Sequence, residues 1–370
     1  MKKLLLLFIF FTFSVNSQVL SNDDSTALII GNIGTDLTGV TPGQNNWQTS
    51  IAATASPPGQ NSDFQIVNVG GLYGNAIQII GPSSTTGSRF MFKGGLPASW
   101  ATRTVGNDII EVEAEIFTGP ATTSRNSFRI YLYSDETVTK PIAGIGVTKN
   151  ATVTTSNGTV QTNYQNLVSG YAHYDNAGTI GFFSFGLGTV TPFQISTTDD
   201  TWLKVGFSFN KTTGEVKWKI PSLSISGFVI GAAAGLNPKE IDLIVATGNT
   251  AAVGVTFPAI NNAASATVLF DNLLVKASST DTLLGVNNNT LLSSQLSIFP
   301  NPSNGIVTIL APEMAINSIE MSDINGRIVK ITKVNGLNET QINVSDLAKG
   351  VYFLKIASDK GIATKKLVVE

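Results

Sequence analysis

Apolar and polar residues alternate with a period of two along most of this chain. Ile109-Ile110-Glu111-Val112-Glu113-Ala114-Glu115-Ile116-Phe117 and Ser127-Phe128-Arg129-Ile130-Tyr131-Leu132-Tyr133 are two such runs. Leu203 to Phe209 and Val216 to Ile220 are two more. This period places one side of each segment in a core and the other in water, which predicts β-strands. Asn210-Lys211-Thr212-Thr213-Gly214 separates the last pair and reads as a hairpin loop. Many short strands and no long stretch of period 3.6 predict an all-β sandwich over residues 19–277. Ile230 to Leu236 is Ala-rich, which favours a short helical turn, while its glycines weaken that reading.

The pattern changes at three places. Lys2 and Lys3 precede an apolar run from Leu4 to Phe13, broken only by Thr12, and Val15-Asn16-Ser17 offers a cleavage site before Gln18. The run is shorter than the ~20 residues of a spanning helix, so residues 1–17 are expected to be a cleaved export leader. Residues 278–295 carry Ser, Thr and an Asn287-Asn288-Asn289 run, and read as a linker. From Leu296 the alternation resumes and continues to Glu370.

Composition narrows the chemistry. Cysteine is absent, which removes disulfides, thiol catalysis, thiolate metal sites and a lipid anchor on an N-terminal Cys. Lys plus Arg total 23 against 25 Asp plus Glu, so no cationic excess argues for nucleic acid. No segment reads as a transmembrane helix. Charged residues make up 13% of the chain, well under the roughly 25% of an average domain. Thr, Ser, Asn and Gly must therefore supply the polar surface, and these favour turns and strands.

The segment 296–370 predicts a small antiparallel sandwich of its own. Pro300 and Pro302 bracket Asn301 and block helix at its start. Asp323-Ile324-Asn325-Gly326 and Val344 to Gly350 read as turns, and Thr364-Lys365-Lys366-Leu367-Val368-Val369 as a closing strand. The FPNP motif with Gly305, the DINGR turn with Gly326, the DLAKGVYFLKI run with Gly350 and Tyr352, and the terminal KKLVVE with Lys365 and Lys366 follow in order. Together they resemble the type A C-terminal sorting domain of the Bacteroidetes type IX secretion system. That resemblance implies an Ig-like domain, the type IX machinery as partner, and a secreted or outer-surface destination. It also implies removal of the tail, with the passenger released or attached to surface lipopolysaccharide.

In the large domain, Glu111, Glu113 and Glu115 share one side of a strand, with successive Cα atoms about 6.6 Å apart. Two readings fit. The three form a solvated face, with Val112, Ala114 and Ile116 turned to the core, or two of them hold the ~5.5 Å carboxyl separation of a retaining glycosidase. The run is similar to the E-x-D-x-E strand of laminarinase-type hydrolases, with Glu113 in place of the central Asp. The single histidine, His173, cannot build a His-rich zinc site.

Calcium is the one ion the sequence suggests, because it takes oxygen ligands from loops and carboxylates. Asp200, beside Asp199, and Asp271 are the candidates. Val268 to Val275 resembles the closing strand of jelly-roll carbohydrate-binding modules, and Asp200 to Trp218 resembles the hairpin of concanavalin-like and laminin-G-like domains. Trp47, Trp100, Tyr171 and Tyr174, with Tyr164, lie in polar or Gly-rich surroundings and are candidates to stack on sugar rings. Trp202 and Trp218 alternate with polar residues and are assigned to the core.

These readings lead to a jelly-roll, concanavalin-like sandwich followed by an Ig-like tail. The expected role is an exported binding module for polysaccharide, or an adhesin. The alternatives are a glycoside hydrolase or polysaccharide lyase using the Glu111 strand, and a structural matrix protein.

Overall fold

The computed structural model describes residues 17–52, 57–70, 73–135, 140–154, 161–189, 193–247, 262–284, 296–312, 314–323, 327–358 and 361–370. The leader assigned to 1–17 and the Gly326 turn position thus lie outside it, Ser17 excepted. Contacts divide the chain into two units, Met1–Leu284 and Gly285–Glu370.

The first unit is a two-sheet antiparallel sandwich. The nine-stranded sheet runs in the order Ile225–Ile230, Glu215–Ile220, Trp202–Asn210, Ile109–Phe117, Thr267–Ser278, Gly74–Ile80, Phe64–Gly70 and Gly31–Asn32, with Gln18–Asp23 added beside Thr267–Ser278. The eight-stranded sheet runs Thr179–Gly186, Gln161–Asn176, Pro141–Thr154, Asn126–Ser134, Pro238–Thr247, Ser88–Lys93 and Gln48–Ile51, with Ile195–Ser196 on Gln161–Asn176. The chain crosses between sheets repeatedly: Gly74–Ile80 to Ser88–Lys93, then Ile109–Phe117, then Asn126–Ser134. That alternation is the jelly-roll path.

Alternate residues from the two inner faces build the core. Trp47, Phe128, Phe207, Phe209, Trp218 and Phe270 are among its largest members. Trp218 ties the sheets together, because its Nε1 donates to the Gly144 carbonyl of the opposite sheet at 2.7 Å. Gly170 lies under the same indole, and a Cβ there would come 2.5 Å from the ring. The hairpin at 210–214 forms as the alternation predicts. Asn210 Oδ1 accepts from the Thr212 and Thr213 amides at 2.9 and 3.2 Å, and Gly214 takes φ 78°. Ile230 to Leu236 is not helical: Ile230 closes a strand and an irregular turn with Gly235 at φ 89° follows. Its two glycines, Gly231 and Gly235, favour that outcome.

The second unit is a small Ig-like sandwich. Ser297–Phe299, Ile306–Leu310 and Glu339–Asn343 form one sheet. Ile328–Leu337, Ile316–Asp323, Gly350–Ser358 and Gly361–Val369 form the other. Val307, Ile309, Ile319, Met321, Leu354, Ile356 and Leu367 fill the space between them. Residues 278–284, read from sequence as linker, belong instead to the first unit. Ser278 ends a strand and the next residues fold back on the Glu111 strand.

Candidate functional site

The outer face of the eight-stranded sheet carries a second apolar cluster, separate from the sandwich core. Tyr131, Tyr171, Ile244 and Ala246 form it, with half-buried Phe90, Tyr133 and Phe182 packed against them. Strand register brings them together. Tyr131 lies between Asp242 on one neighbouring strand and Gly144 on the other, and Tyr171 faces Gly144 from the far side. Glycine is required at 144 and 146, where a Cβ would meet Tyr131 at 2.4 Å and Arg129 Cγ at 3.1 Å. The ring and the arginine stem therefore lie down across the sheet.

Tyr131 meets Tyr171 edge-on at 5.1 Å and Phe182 at 4.9 Å, and Phe182 stacks toward Tyr171 at 6.0 Å. The Arg129 guanidinium lies 6.0 and 5.9 Å from the Tyr131 and Tyr171 ring centres, and its Nε donates to Ser127 Oγ at 2.8 Å. Asp242 sits in the same row, 8% exposed, and its Oδ1 has no hydrogen-bond partner among the described residues. Burial, with Glu240 nearby, pushes the Asp242 carboxyl up to about 8. Burial and Asp242 likewise hold the Tyr133 hydroxyl well above its ordinary value. A neutral carboxylic acid, three tyrosines and a guanidinium thus share a face that offers hydrogen-bond donors between aromatic rings.

Of the ring residues picked from sequence, Tyr171 alone joins this cluster. Trp47 and Trp100 belong to the sandwich core between the sheets and not to this outer face. Tyr174 is half-buried, edge-on to Phe185 at 5.3 Å. Trp218 is core, whereas Trp202, assigned to the core, is half-buried and stacks on Tyr73 at 4.0 Å. Sequence reasoning missed Arg129, Tyr131, Tyr133 and Asp242. The signal was available in Arg129 to Tyr133, whose outward positions are Arg and Tyr instead of Ser, Thr or Asn.

The Glu111 strand is neither a wet face nor an open groove. Val112, Ala114 and Ile116 do face the core, but Glu111 and Glu113 are 0% and 3% exposed. Lys276 Nζ lies 3.1 Å from Glu111 and 2.6 Å from Glu113. Ser278 Oγ, the Thr282 amide and the Thr282 hydroxyl donate to Glu111 at 3.0, 2.5 and 2.6 Å. The Leu284 amide donates to Glu113 at 2.9 Å. Residues 282–284 thus lie as a strap over the two carboxylates, and Gly206 leaves room for it, because a Cβ there would come 2.9 Å from Leu283. Glu115 accepts from Asn272 Nδ2 at 2.7 Å. Each carboxylate is occupied, and Glu111 and Glu113 are covered by residues 282–284. A substrate has no route between them.

The calcium candidates are separated. Asp271 is 3% exposed, accepts a long 3.4 Å bond from the Ser25 amide, and is pushed up to about 6 by burial. Asp200 is an exposed turn residue at φ 51°. Beside it, Asp199 already holds a cation: Lys149 Nζ lies 2.5 Å from its carboxylate and donates to the Gly119 and Pro120 carbonyls at 3.3 and 3.1 Å. Among the described residues no three His, Asp or Glu side chains converge to hold a metal. His173 is half-buried, and its carbonyl accepts from the Ala232 amide at 2.7 Å. A further cavity of about 260 Å³ lies over Leu20, Leu96, Ile241 and Leu273, with the Lys93–Asp23 pair, 2.6 Å apart, on its wall.

In the second unit the sequence motifs fasten the closing strand. Asn301, between Pro300 and Pro302, donates its Nδ2 to the Lys366 carbonyl and accepts from the Val368 amide, both at 2.9 Å. The Gly305 carbonyl accepts from the Val344 amide at 2.8 Å. Tyr352, next but one to Gly350, donates its hydroxyl to the Ala348 carbonyl at 2.8 Å. Lys365 is half-buried and Lys366 exposed on the same strand.

Residues 297–370 match the family model of the secretion system C-terminal sorting domain. The chain therefore carries a type IX sorting domain and is exported to the cell surface or extracellular space. No curated protein matches the sequence. Among solved structures, a sialidase is similar over 72% of this chain at 9% identity and TM-score 0.36, and the chain spans only 19% of that protein. The CBM2 module of the Lactobacillus casei BL23 phage J-1 evolved Dit is similar over 72% of this chain and 98% of its own, at 8% identity and TM-score 0.37. A LamA variant from Z. galactanivorans, in complex with laminaritriose and laminaritetraose, is similar over 71% of this chain and all of its own, at 8% identity and TM-score 0.41. No helix among the described residues is long and apolar enough to cross a membrane.

Proposed function

We propose that the sandwich is a glycan-binding module whose ligand seats on the outer face of the eight-stranded sheet. One observation carries this reading: Tyr131, Tyr171 and Phe182 cluster with Arg129 outside the sandwich core. Sugar rings stack on aromatic faces and take hydrogen bonds from donors between them, and half-buried rings on an outward sheet face are within reach of such a ligand. Half-buried Phe90, Tyr133 and Phe182 give the ligand its first contacts, with Tyr131 and Tyr171 beneath. The sorting domain fits this role, since it delivers the module to where polysaccharides are met.

A glycan array probed with the purified protein tests the proposal. Binding to at least one polysaccharide class is expected, and Phe182→Ala should weaken it about tenfold. Lys204→Glu, on the opposite sheet, should leave it unchanged. Silence across plant, algal and host glycans, or binding indifferent to Phe182, would remove the support for this face. Release of new reducing ends by the parent protein would instead make it an enzyme.

A further inference from the structure

The sorting unit has its own unpartnered face. On the four-stranded sheet, alternation sends Met321, Leu354, Ile356 and Leu367 into the core. The opposite positions carry Ile331, 64% exposed, and Phe353, 41% exposed. Register sets these among cations: Phe353 pairs with exposed Lys366, and Ile331 pairs with Glu320, whose other neighbour is exposed Lys355. Exposed Lys333 follows on the edge strand. Arg327 and Lys330 of this unit are taken by Asp323 and Asp346. Lys333, Lys355 and Lys366 have no carboxylate within ion-pair distance among the described residues. Two large exposed apolar side chains with three exposed lysines on the same face are what a partner surface with an apolar centre and acidic rim would fit.

We infer that this face, built on Ile331, Phe353, Lys333, Lys355 and Lys366, is the surface by which the tail docks on a protein of the export machinery. The complementary surface is an apolar patch with acidic side chains at its rim. Half-buried Glu320 in the middle of the face favours a protein over an anionic lipid sheet. A lipid surface would press charge against Glu320 as well as the lysines, whereas a protein can place carboxylates at the lysines alone.

The test uses the full chain in a host with working type IX secretion. The charge-reversed Lys355→Glu/Lys366→Glu double variant should melt within a few degrees of the parent, since its sites are exposed. It should reach the surface or medium about tenfold less and accumulate in the periplasm. Phe353→Thr keeps a strand-forming residue and should show the same defect, and it decides the matter should the double variant melt lower. Lys204→Glu, in the passenger, should be exported like the parent. Parental export of both tail variants would overturn the inference. So would normal export combined with lost binding to lipopolysaccharide vesicles, which would assign the face to lipid.

Discussion

Lys276→Ala is expected to destabilise the sandwich by about 3–5 kcal/mol, the cost of leaving buried carboxylates without their cation. Both partners are almost fully enclosed: Lys276 is 2% exposed, and Glu111 and Glu113 are 0% and 3%. Burial works against the Lys276 charge, but Glu113 and Glu111 outweigh it and hold its pKa above the ordinary lysine value. Removing the ammonium leaves two like charges side by side, with only hydroxyl and amide donors to stabilise them. At about 2–4 °C per kcal/mol for a domain of this size class, the melting temperature should fall by roughly 6 °C or more. Adding Glu113→Gln to Lys276→Ala should recover part of the loss, because it removes one uncompensated charge. A loss under about 1 kcal/mol in urea titration would mean that water reaches the cluster and that the strap does not seal it.

This cluster marks the boundary of what was legible. The alternation in Ile109 to Phe117 correctly turned Val112, Ala114 and Ile116 inward. It said nothing of what would cover the outward side, because Thr282 lies 171 residues along the chain from Glu111. The three glutamates therefore looked solvated or catalytic, and 278–284 looked like linker, for one reason: neither segment is intelligible without the other. The indoles failed similarly. Asn45, Asn46 and Gln48 surround Trp47, yet local polarity does not report burial once the flanking side chains point elsewhere. Where the determinants are local, the sequence was sufficient. Asn210 to Gly214 contains both the acceptor for its turn amides and the glycine for its positive φ. The sorting tail is a contiguous run of short strands whose motifs follow in order. The aromatic face lay between these extremes. Its strand was identifiable, but grouping Arg129, Tyr131, Tyr171, Phe182 and Asp242 needed the pairing of strands far apart in sequence.

Asp242 makes a second strong prediction, in which the protein loses stability as pH rises from about 6 to about 8. In the unfolded chain an Asp carboxyl releases its proton near 3.9. In the folded protein burial holds the Asp242 proton until about 8. Between those values the native state binds one proton more than the unfolded state, so stability falls with rising pH, by up to about 1.4 kcal/mol per unit. Asp271, pushed up to about 6 by burial, acts in the same sense but is ionised above that value. Asp36, Asp199 and Asp346, all held below the ordinary carboxylate range in the fold, lose their contribution only in acid. The interval from about 6 to about 8 thus isolates Asp242. The parent should lose about 2–3 kcal/mol across it relative to Asp242→Asn, which keeps the shape and cannot ionise. Melting curves at the two pH values measure this directly, and identical pH dependence in parent and variant would show that the carboxyl is already charged. Such a result would also bear on the proposed glycan site, because an anion at 242 would repel the acceptor oxygens of a ligand seated beside Tyr131 and Arg129.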